Sequence, residues 1–285
     1  LFRSRPDNDD YMSKGYVPLR EQYDNSVSHA LEYYIADFAL SRFAAALGKK
    51  KDAEMFYKRS LGYKHYYSKE FGTFRPILPD GTFYSPFNPR QGENFEPNPG
   101  FHEGSSWNYT FYVPHDVYGL AKLMGGKKPF IDKLQMVFDE GLYDPANEPD
   151  IAYAHLFSYF KGEEWRTQKE TQRLLDKYFT TKPDGIPGND DTGTMSSWAI
   201  FNMIGFYPDC PGLPEYTLTT PVFNKVTIRL DPKWYKENEL VIETNRTQPG
   251  VLYINKVLLN GKKFNKYHIT HDELVHGKYL KFDLK

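Results

Sequence analysis

The chain has 285 residues, and its 36 Lys and Arg residues against 37 Asp and Glu residues give a net charge of −1. This balance argues against a nucleic-acid-binding protein with a broad basic face, and against a protein held on an anionic membrane surface. No run of about 18 apolar residues occurs, so no membrane span is predicted. Aromatic residues make up 17% of the chain. They indicate core packing first, although sugar-binding clefts are also lined with aromatic rings.

The single cysteine, Cys210, excludes an intramolecular disulfide framework and a cluster of thiolate metal ligands. The length suits one large domain or two smaller ones. The chain starts at Leu1 without an initiator Met or an apolar signal region. We interpret this start as a cut or processed end, and we expect targeting information to lie outside the sequence.

Helical periodicity dominates up to about residue 210. Ser26 is the predicted N-cap of a helix that ends near Gly48, and a second helix is predicted from about Asp52 to Tyr67. Residues 72–88 indicate extended chain with turns, and residues 89–101 indicate a long loop. Further helical segments are predicted at 105–124, kinked or split at Pro114, and at 129–140, 149–160, 163–179 and 192–206. Seven successive helices favour stacked hairpins or a toroid.

The hydrophobic period changes to two after about residue 210. Val226 and Ile228 alternate with polar neighbours, and the pattern recurs near residues 240 and 280. Asn260-Gly261 between apolar runs predicts a tight hairpin. The sequence therefore predicts a mainly α-helical domain over 1–210 and a small antiparallel β unit over 211–285. Alone this unit is small and rich in edges, so we expect it to pack on other structure.

The segment Gly-Asn-Asp-Asp-Thr-Gly at 188–193 places three oxygen-bearing side chains between glycines. A helix follows at once, and its free N–H groups and dipole favour an anion there. Carboxylate and amide oxygens are also hard ligands for a cation. An ordinary polar turn with an Asp or Thr N-cap explains the same residues. The spaced ligands and closing Glu of an EF-hand are absent from this segment.

Two further segments carry candidate functional residues. Glu103 lies beside Trp107 and several tyrosines, and an apolar wall favours a protonated carboxyl, as an acid catalyst at neutral pH requires. The alternative is a helix-initiating Glu near a core Trp. Asn147-Glu148-Pro149-Asp150 forms a polar corner before a predicted helix, where a plain capping turn is the alternative. The sequence contains no His-Glu-x-x-His, glycine-rich phosphate loop or Gly-x-Ser-x-Gly motif.

Taken in order, these segments resemble the family 92 glycoside hydrolases, which are calcium-dependent exo-acting α-mannosidases. The resemblance rests on Glu-Gly-x-x-Trp-x-Tyr-x-x-x-Val-Pro-His-Asp from residue 103, Asn-Glu-Pro from 147 and Gly-Asn-Asp-Asp-x-Gly-x-Met-Ser-x-Trp from 188. It covers nearly the whole chain. It implies an N-terminal β-sandwich followed by an (α/α)6 toroid. This chain resembles the C-terminal catalytic portion, with the β-sandwich missing as a partner domain.

The resemblance also implies an inverting mechanism. One carboxylic acid protonates the departing oxygen, and a carboxylate on the opposite face, roughly 6.5–9.5 Å away, activates water. Glu103 matches the family acid. For the base we prefer Asp191, with Asp190 second. Family members vary between Asn and Asp at the position of Asn189, which leaves the roles of this loop open.

Calcium is the expected cofactor, with Asn189, Asp191 and Asn147 as its expected ligands. Asn147, Glu148 and Trp107 are the expected sugar-binding residues. The resemblance implies release of mannose from mannose-rich glycans, with α-1,2 as the expected linkage, in the periplasm, at the cell surface or outside a bacterium. The alternatives are a catalytically silent, calcium-dependent mannoside-binding relative, an inactive fragment, or another (α/α)6 inverting hydrolase that acts on glucans.

Overall fold

The computed structural model describes residues 7–20, 25–92 and 98–285. The chain divides into two compact units. Unit 1 comprises the described residues among 1–150 together with 211–213, and unit 2 comprises 151–210 and 214–285. The change from helices to strands near residue 210 is present. The compact units nevertheless separate after Asp150, because the helices of 151–210 group with the strands that follow them.

Unit 1 is mainly helical. Its α-helices are α1 (Asn8–Lys14), α2 (Ser26–Ala46), α3 (Lys50–Ser60), α4 (Ser106–Thr110), α5 (Val117–Leu123) and α6 (Lys127–Asp139). Short 3-10 segments lie at Leu61–Tyr66, Pro114–Asp116 and Glu148–Asp150. Two short strands, β1 (Tyr67–Ser68) and β2 (Thr73–Phe74), pair antiparallel within the stretch that the sequence predicts as extended with turns.

The helices predicted for unit 1 are confirmed with shifted ends. Helix α2 has Asn25 as its N-cap, without a side-chain capping bond, and the predicted cap Ser26 is its first helical residue. The second predicted helix changes to 3-10 geometry after Ser60. Pro114 separates α4 from α5, as expected of a residue that has no N–H to donate. Of the predicted loop at 89–101, residues 93–97 lie outside the described residues.

The core of unit 1 is aromatic. Its largest side chains, each less than 2% exposed, include Tyr11, Tyr34, Tyr63, Tyr66, Phe74, Phe111 and Phe130. One buried charge is paired within this core: the Asp37 carboxylate accepts hydrogen bonds from Arg59 Nε at 2.8 Å and from the Tyr11 hydroxyl at 2.7 Å. Much of the high aromatic content is therefore packing material, as the composition first indicates.

Unit 2 combines helices with two small sheets. Its α-helices are α7 (Glu164–Tyr178), α8 (Thr194–Ile204) and α9 (His271–Val275). Its strands are β3 (Phe206–Tyr207), β4 (Glu215–Leu218), β5 (Lys225–Arg229), β6 (Glu239–Arg246), β7 (Ile254–Leu259), β8 (Lys262–Phe264), β9 (His268–Thr270) and β10 (Tyr279–Leu284). The α-helix predicted at 149–160 is wrong in type, since Tyr153–Tyr159 is a 3-10 segment.

The strands form a three-stranded sheet in the order β3-β4-β9 and a five-stranded sheet in the order β5-β6-β10-β7-β8. All neighbours are antiparallel except β10, which lies parallel to β6. The predicted hairpin at Asn260-Gly261 is confirmed as the turn between β7 and β8, with φ values of 50° and 76° that suit these residue types. The small antiparallel sheets are thus confirmed, with one parallel pair added.

The sheets of unit 2 share one apolar core with α8. Its buried members are Phe206, Leu218, Leu240, Ile242, Ile254, Val257, Ile269, Leu274, Leu280, Phe282 and Leu284. Phe201 and Ile204 of α8 pack against this cluster. This shared core explains why the helix and the strands belong to one compact unit. Among the described residues, no helix has both the length and the apolar character needed to cross a bilayer.

Buried histidines make the stability of unit 2 sensitive to acid. Burial lowers the pKa of His155 to about 4 from 6.5. Its Nε2 lies 2.9 Å from the Oδ1 of Asn202, to which it donates. Its Nδ1 has no hydrogen-bond partner among the described residues. The unfolded chain binds this proton at a higher pH than the folded chain. Stability is therefore lost as the pH falls from about 6.5 to about 4.

We expect His155→Gln to flatten the pH dependence of unfolding. Glutamine keeps a donor for Asn202 but does not titrate, so up to about 3 kcal/mol of acid destabilisation is removed. Urea unfolding at several values between pH 7 and pH 4 measures this slope. His276→Gln, at an exposed histidine, is the matched control and keeps the slope of the unchanged protein. Identical slopes for all three proteins would contradict the prediction.

Candidate active site

Glu103 lies in a tight turn immediately before α4. The turn is closed by a capping box between Ser105 and Asn108, in which Asn108 Oδ1 accepts from the Ser105 N–H at 2.8 Å. Ser105 Oγ also accepts from the Trp107 N–H at 3.2 Å. The backbone of Glu103 has a φ of 50°, in the left-handed region that residues other than glycine seldom adopt. Its side chain is 60% exposed, with Oε1 3.5 Å from His102 Nε2. In unit 1 the Glu103 carboxyl therefore faces solvent.

The aromatic residues near Glu103 support its backbone and do not enclose its carboxyl. Trp107 is only 7% exposed, and Lys133 Nζ lies 5.9 Å from the centre of its ring. The Tyr109 hydroxyl donates to the backbone carbonyl of His102 at 2.6 Å. The apolar wall predicted around the acid is thus not formed by unit 1, because these rings are turned into the core. Binding of sugar by Trp107 stays a prediction.

The corner at Asn147 and Glu148 meets the Glu103 turn. Asn147 is 5% exposed, and its Nδ2 donates to the backbone carbonyl of Glu103 at 2.9 Å. Since Nδ2 makes this contact, the Oδ1 of Asn147 is the atom that can accept a hydrogen bond or bind a cation. Glu148 is half-buried in the 3-10 segment that follows. The structure thus joins two predicted motifs that lie 44 residues apart.

A buried pair that the sequence analysis missed lies behind these two motifs. The Oδ2 of Asp150, which is 0% exposed, accepts from Asn108 Nδ2 at 2.8 Å and from the Asp144 N–H at 2.7 Å. Burial raises the pKa of Asp150 well above its usual range. Its Oδ1 has no hydrogen-bond partner among the described residues. The sequence shows Asp150 only as part of a polar corner, and nothing there links it to Asn108.

Glu32 on α2 is a second residue that the sequence analysis missed. Its Oε1 accepts from the Tyr112 hydroxyl at 2.9 Å. Although the side chain reaches solvent, partial desolvation raises the pKa of Glu32, the Tyr112 hydrogen bond opposes this, and the nearby Glu148 charge raises it further. Glu32 and Glu148 therefore share one acidic surface of unit 1. No sequence signal distinguishes Glu32 from the other polar residues of this long helix.

In unit 2, the loop before α8 holds the predicted bases. Asp190 is engaged at the start of the helix: its Oδ2 accepts from Ser196 Oγ at 2.5 Å and its Oδ1 from the Ser196 N–H at 2.8 Å. These hydrogen bonds, the side-chain one first, lower the pKa of Asp190. Asp191 is exposed, and its carboxylate has no hydrogen-bond or ion-pair partner within the described parts of the chain. The two neighbouring carboxylates thus have different surroundings.

The predicted calcium ligands offer suitable chemistry. Asn189 and Asp191 expose their side chains on the loop of unit 2, and Asn147 has a side-chain oxygen to offer in unit 1. Amide and carboxylate oxygens are the ligands that Ca²⁺ prefers. In residues 7–20, 25–92 and 98–285, no group of three or more His, Cys, Asp or Glu residues could hold a metal ion. A calcium ion would therefore need amide oxygens, backbone oxygens or water besides carboxylates.

Comparison with known proteins gives consistent matches. Residues 2–285 match the model of the glycosyl hydrolase family 92 catalytic domain. A family GH92 α-mannosidase from Bacteroides thetaiotaomicron, solved with mannoimidazole, is 31% identical with a TM-score of 0.90, over 99% of this chain and 39% of that one. A GH92 inverting mannosidase from the same species is 32% identical with a TM-score of 0.87, over 99% and 40%.

A curated relative, described as an uncharacterized secreted glycosidase of Arthroderma benhamiae, is 26% identical over an alignment 300 residues long that covers 96% of this chain and 38% of the relative. This chain thus spans about two fifths of the length of these relatives. The TM-scores over nearly the whole chain confirm the predicted fold class. With a family model matched over residues 2–285, the chain belongs to glycoside hydrolase family 92 and represents catalytic-domain sequence.

Proposed function

We propose that the protein carrying this chain is a glycoside hydrolase that releases mannose from the ends of α-mannosides with inversion of configuration. The observation that carries the proposal is the contact between Asn147 Nδ2 and the Glu103 carbonyl, which unites two of the three family motifs in unit 1. Family membership supports the same activity. Solved relatives of similar fold are described as α-mannosidases, one of them as inverting.

Glu103 is the proposed general acid and Asp191 the proposed base. An acid must reach the departing oxygen, and the exposed carboxyl of Glu103 is accessible to a substrate. A base must be free to bind and deprotonate water. The Asp191 carboxylate has no partner among the residues that the structure describes, whereas both oxygens of Asp190 are occupied by Ser196. The hydrogen bonds thus favour Asp191 over Asp190, which instead holds the start of α8.

Calcium is the proposed cofactor, with Asn189, Asp191 and Asn147 as ligands. When bound, it would supply a positive charge that holds and polarises sugar hydroxyls. Asn147, Glu148 and Trp107 are proposed to contact the sugar. The proposed substrates are mannose-rich glycans with α-1,2 linkages, cleaved in the periplasm, at the surface or outside a bacterial cell. The secreted glycosidase among the relatives supports an extracytoplasmic location.

A second candidate is a calcium-dependent mannoside-binding protein without turnover, or an inactive fragment. The observation that favours it is that the chain spans about two fifths of its relatives. The exposed Glu103 agrees with this, because an acid that unit 1 leaves open to solvent lacks a wall on that side. The two candidates share the same site residues and differ in whether mannose is released.

We expect the full-length protein that contains this chain to release free mannose from α-1,2-mannobiose, with the β-anomer formed first. We expect EDTA to abolish the reaction and added Ca²⁺ to restore it, because the proposed amide and carboxylate ligands carry no positive charge of their own. Proton NMR of the first turnovers measures both the product and its anomer. An α-linked glucobiose is the control substrate. Turnover that survives EDTA would contradict the calcium proposal. Calcium-dependent binding without turnover would favour the second candidate.

A further inference from the structure

A closed chain of hydrogen bonds connects the proposed acid to the sugar-binding corner in unit 1. From the Glu103 carbonyl it passes to Asn147 Nδ2 at 2.9 Å. The Asn147 carbonyl accepts from the Asp150 N–H at 3.0 Å, and Asp150 Oδ2 accepts from Asn108 Nδ2 at 2.8 Å. Asn108 Oδ1 then accepts from the Ser105 N–H at 2.8 Å, two residues from Glu103. The Asn108–Asp150 bond links the cap to the corner through two side chains. Within the cap, Ser105 Oγ also donates to Asn108 Oδ1 at 2.8 Å.

The Asn108–Asp150 bridge is buried and tightly packed. Asn108 is 4% exposed and Asp150 is 0% exposed. At Gly104, which separates Glu103 from the cap, a Cβ atom would lie 2.9 Å from Asn147 Nδ2 and 3.2 Å from the Asn108 side chain. Neither segment can therefore shift freely against the other. Asn108 also donates to the Leu142 carbonyl at 3.1 Å, which fixes the amide to the chain that leads into the corner.

The bridge also explains how Glu103 keeps an unfavourable backbone. A residue other than glycine at a φ of 50° persists only where its surroundings determine it. Here the carbonyl of Glu103 is held by Asn147 on one side, and the following turn is held by Asn108 on the other. Both holding residues depend on Asp150, which contacts one through its backbone and the other through its carboxyl.

We propose that Asn108 and Asp150 are a pair of positioning residues, which hold the carboxyl of Glu103 in register with the Asn147–Glu148 corner. The pair does not touch the substrate. It acts through the turn that carries the acid, so its loss moves the acid relative to the bound sugar. The structural coupling between the pair and the Glu103 turn rests on the hydrogen-bond circuit. Its effect on the reaction rate rests on the proposed function. A misplacement of about 1 Å is enough to lower a rate about 100-fold.

The test compares Asp150→Ala, which breaks the bridge, with Asp150→Asn, which keeps an oxygen for Asn108 and Asp144. Two substrates are used: α-1,2-mannobiose, which needs a proton on its leaving oxygen, and dinitrophenyl α-mannoside, which does not. We expect Asp150→Ala to lower kcat on mannobiose about 10- to 100-fold with a small change in KM. We expect kcat on the dinitrophenyl substrate to stay within about twofold, and Asp150→Asn to retain activity on both.

Controls separate positioning from loss of fold. Asp116→Ala removes a comparable cap from α5, where Asp116 accepts from the Gly119 N–H at 3.0 Å, and affects both substrates equally. In a Glu103→Gln background, Asp150→Ala adds little further loss on mannobiose, since the acid that it positions is already gone. Equal losses on both substrates, or full additivity with Glu103→Gln, would overturn the inference. If Asp150→Ala does not fold, Asn108→Ala breaks the bridge from its other end.

Amide hydrogen exchange gives a readout that needs no turnover. In Asp150→Ala the Ser105 amide is expected to exchange at least about tenfold faster, and in Asp150→Asn at the rate of the unchanged protein. If the unchanged protein releases no mannose but Ser105 responds in this way, the coupling stands and only the proposed function fails. An unchanged Ser105 exchange rate in Asp150→Ala would overturn the coupling, whatever the activity.

Discussion

Replacing Glu103 by glutamine is expected to lower kcat on α-1,2-mannobiose about 100- to 10,000-fold, the usual contribution of a general acid. Glutamine has nearly the same shape and can still donate a hydrogen bond, but it cannot transfer a proton to the departing oxygen. The backbone contact of residue 103 with Asn147 involves a carbonyl and is retained. The KM for mannobiose is therefore expected to change little.

The leaving group separates a lost acid from a damaged site. Dinitrophenolate departs without protonation, so Glu103→Gln is expected to hydrolyse dinitrophenyl α-mannoside at close to the rate of the unchanged enzyme. His102→Gln, at the neighbouring exposed residue, is the matched control and keeps activity on both substrates. Equal losses of Glu103→Gln on both substrates would show that Glu103 does not act as the acid.

Asp191→Asn is expected to lower kcat about 100- to 10,000-fold on both mannobiose and dinitrophenyl α-mannoside. A base activates the attacking water whatever the leaving group, so a better leaving group does not rescue its loss. This pattern differs from that of Glu103→Gln. Added azide, a nucleophile that needs no deprotonation, is expected to restore turnover of the dinitrophenyl substrate and to give mannosyl azide. Mass spectrometry detects this product.

Asp190→Asn is the matched control for Asp191→Asn, since it makes the same replacement of a carboxylate by an amide at the adjacent residue. Hydrogen bonds from Ser196 lower the pKa of Asp190 in the folded chain. Their stabilising effect is present above the ordinary carboxyl pKa and is lost as the pH falls through the lowered value. Asp190→Asn should therefore weaken the start of α8 with a smaller effect on kcat. A larger loss of kcat in Asp190→Asn than in Asp191→Asn would reverse the two roles.

The sequence predicts the local elements of this fold better than their hydrogen-bond type or pairing. The hairpin at Asn260-Gly261 follows from residue types that favour positive φ, and the break at Pro114 from a missing donor. The 3-10 geometry of Tyr153–Tyr159 cannot be predicted in this way, because α and 3-10 turns present similar apolar spacing. The parallel pairing of β10 with β6 joins two strands that lie far apart in the sequence, and hydrophobic periodicity does not show which strands pair.

The candidate site shows the same division. The motifs at Glu103 and Asn147 can be found in the sequence, but their contact across 44 residues requires the fold. Asp190 and Asp191 are equivalent in a sequence, and only the hydrogen bonds of Ser196 distinguish them. Asn108 and Asp150 are missed because a buried amide–carboxyl pair leaves no spacing pattern. The prediction of an aromatic wall around Glu103 is wrong for unit 1, because the number of aromatic residues near a position does not reveal which way their rings point.

The left-handed backbone of Glu103 implies a trade-off between stability and activity at position 103. An L-residue with a side chain loses about 1–2 kcal/mol in this region, whereas glycine adopts it freely. The carboxyl is largely exposed, so little packing compensates for that cost. Selection for thermal stability alone would favour glycine at position 103. A glutamate at this position, despite that cost, agrees with the general-acid role proposed for it.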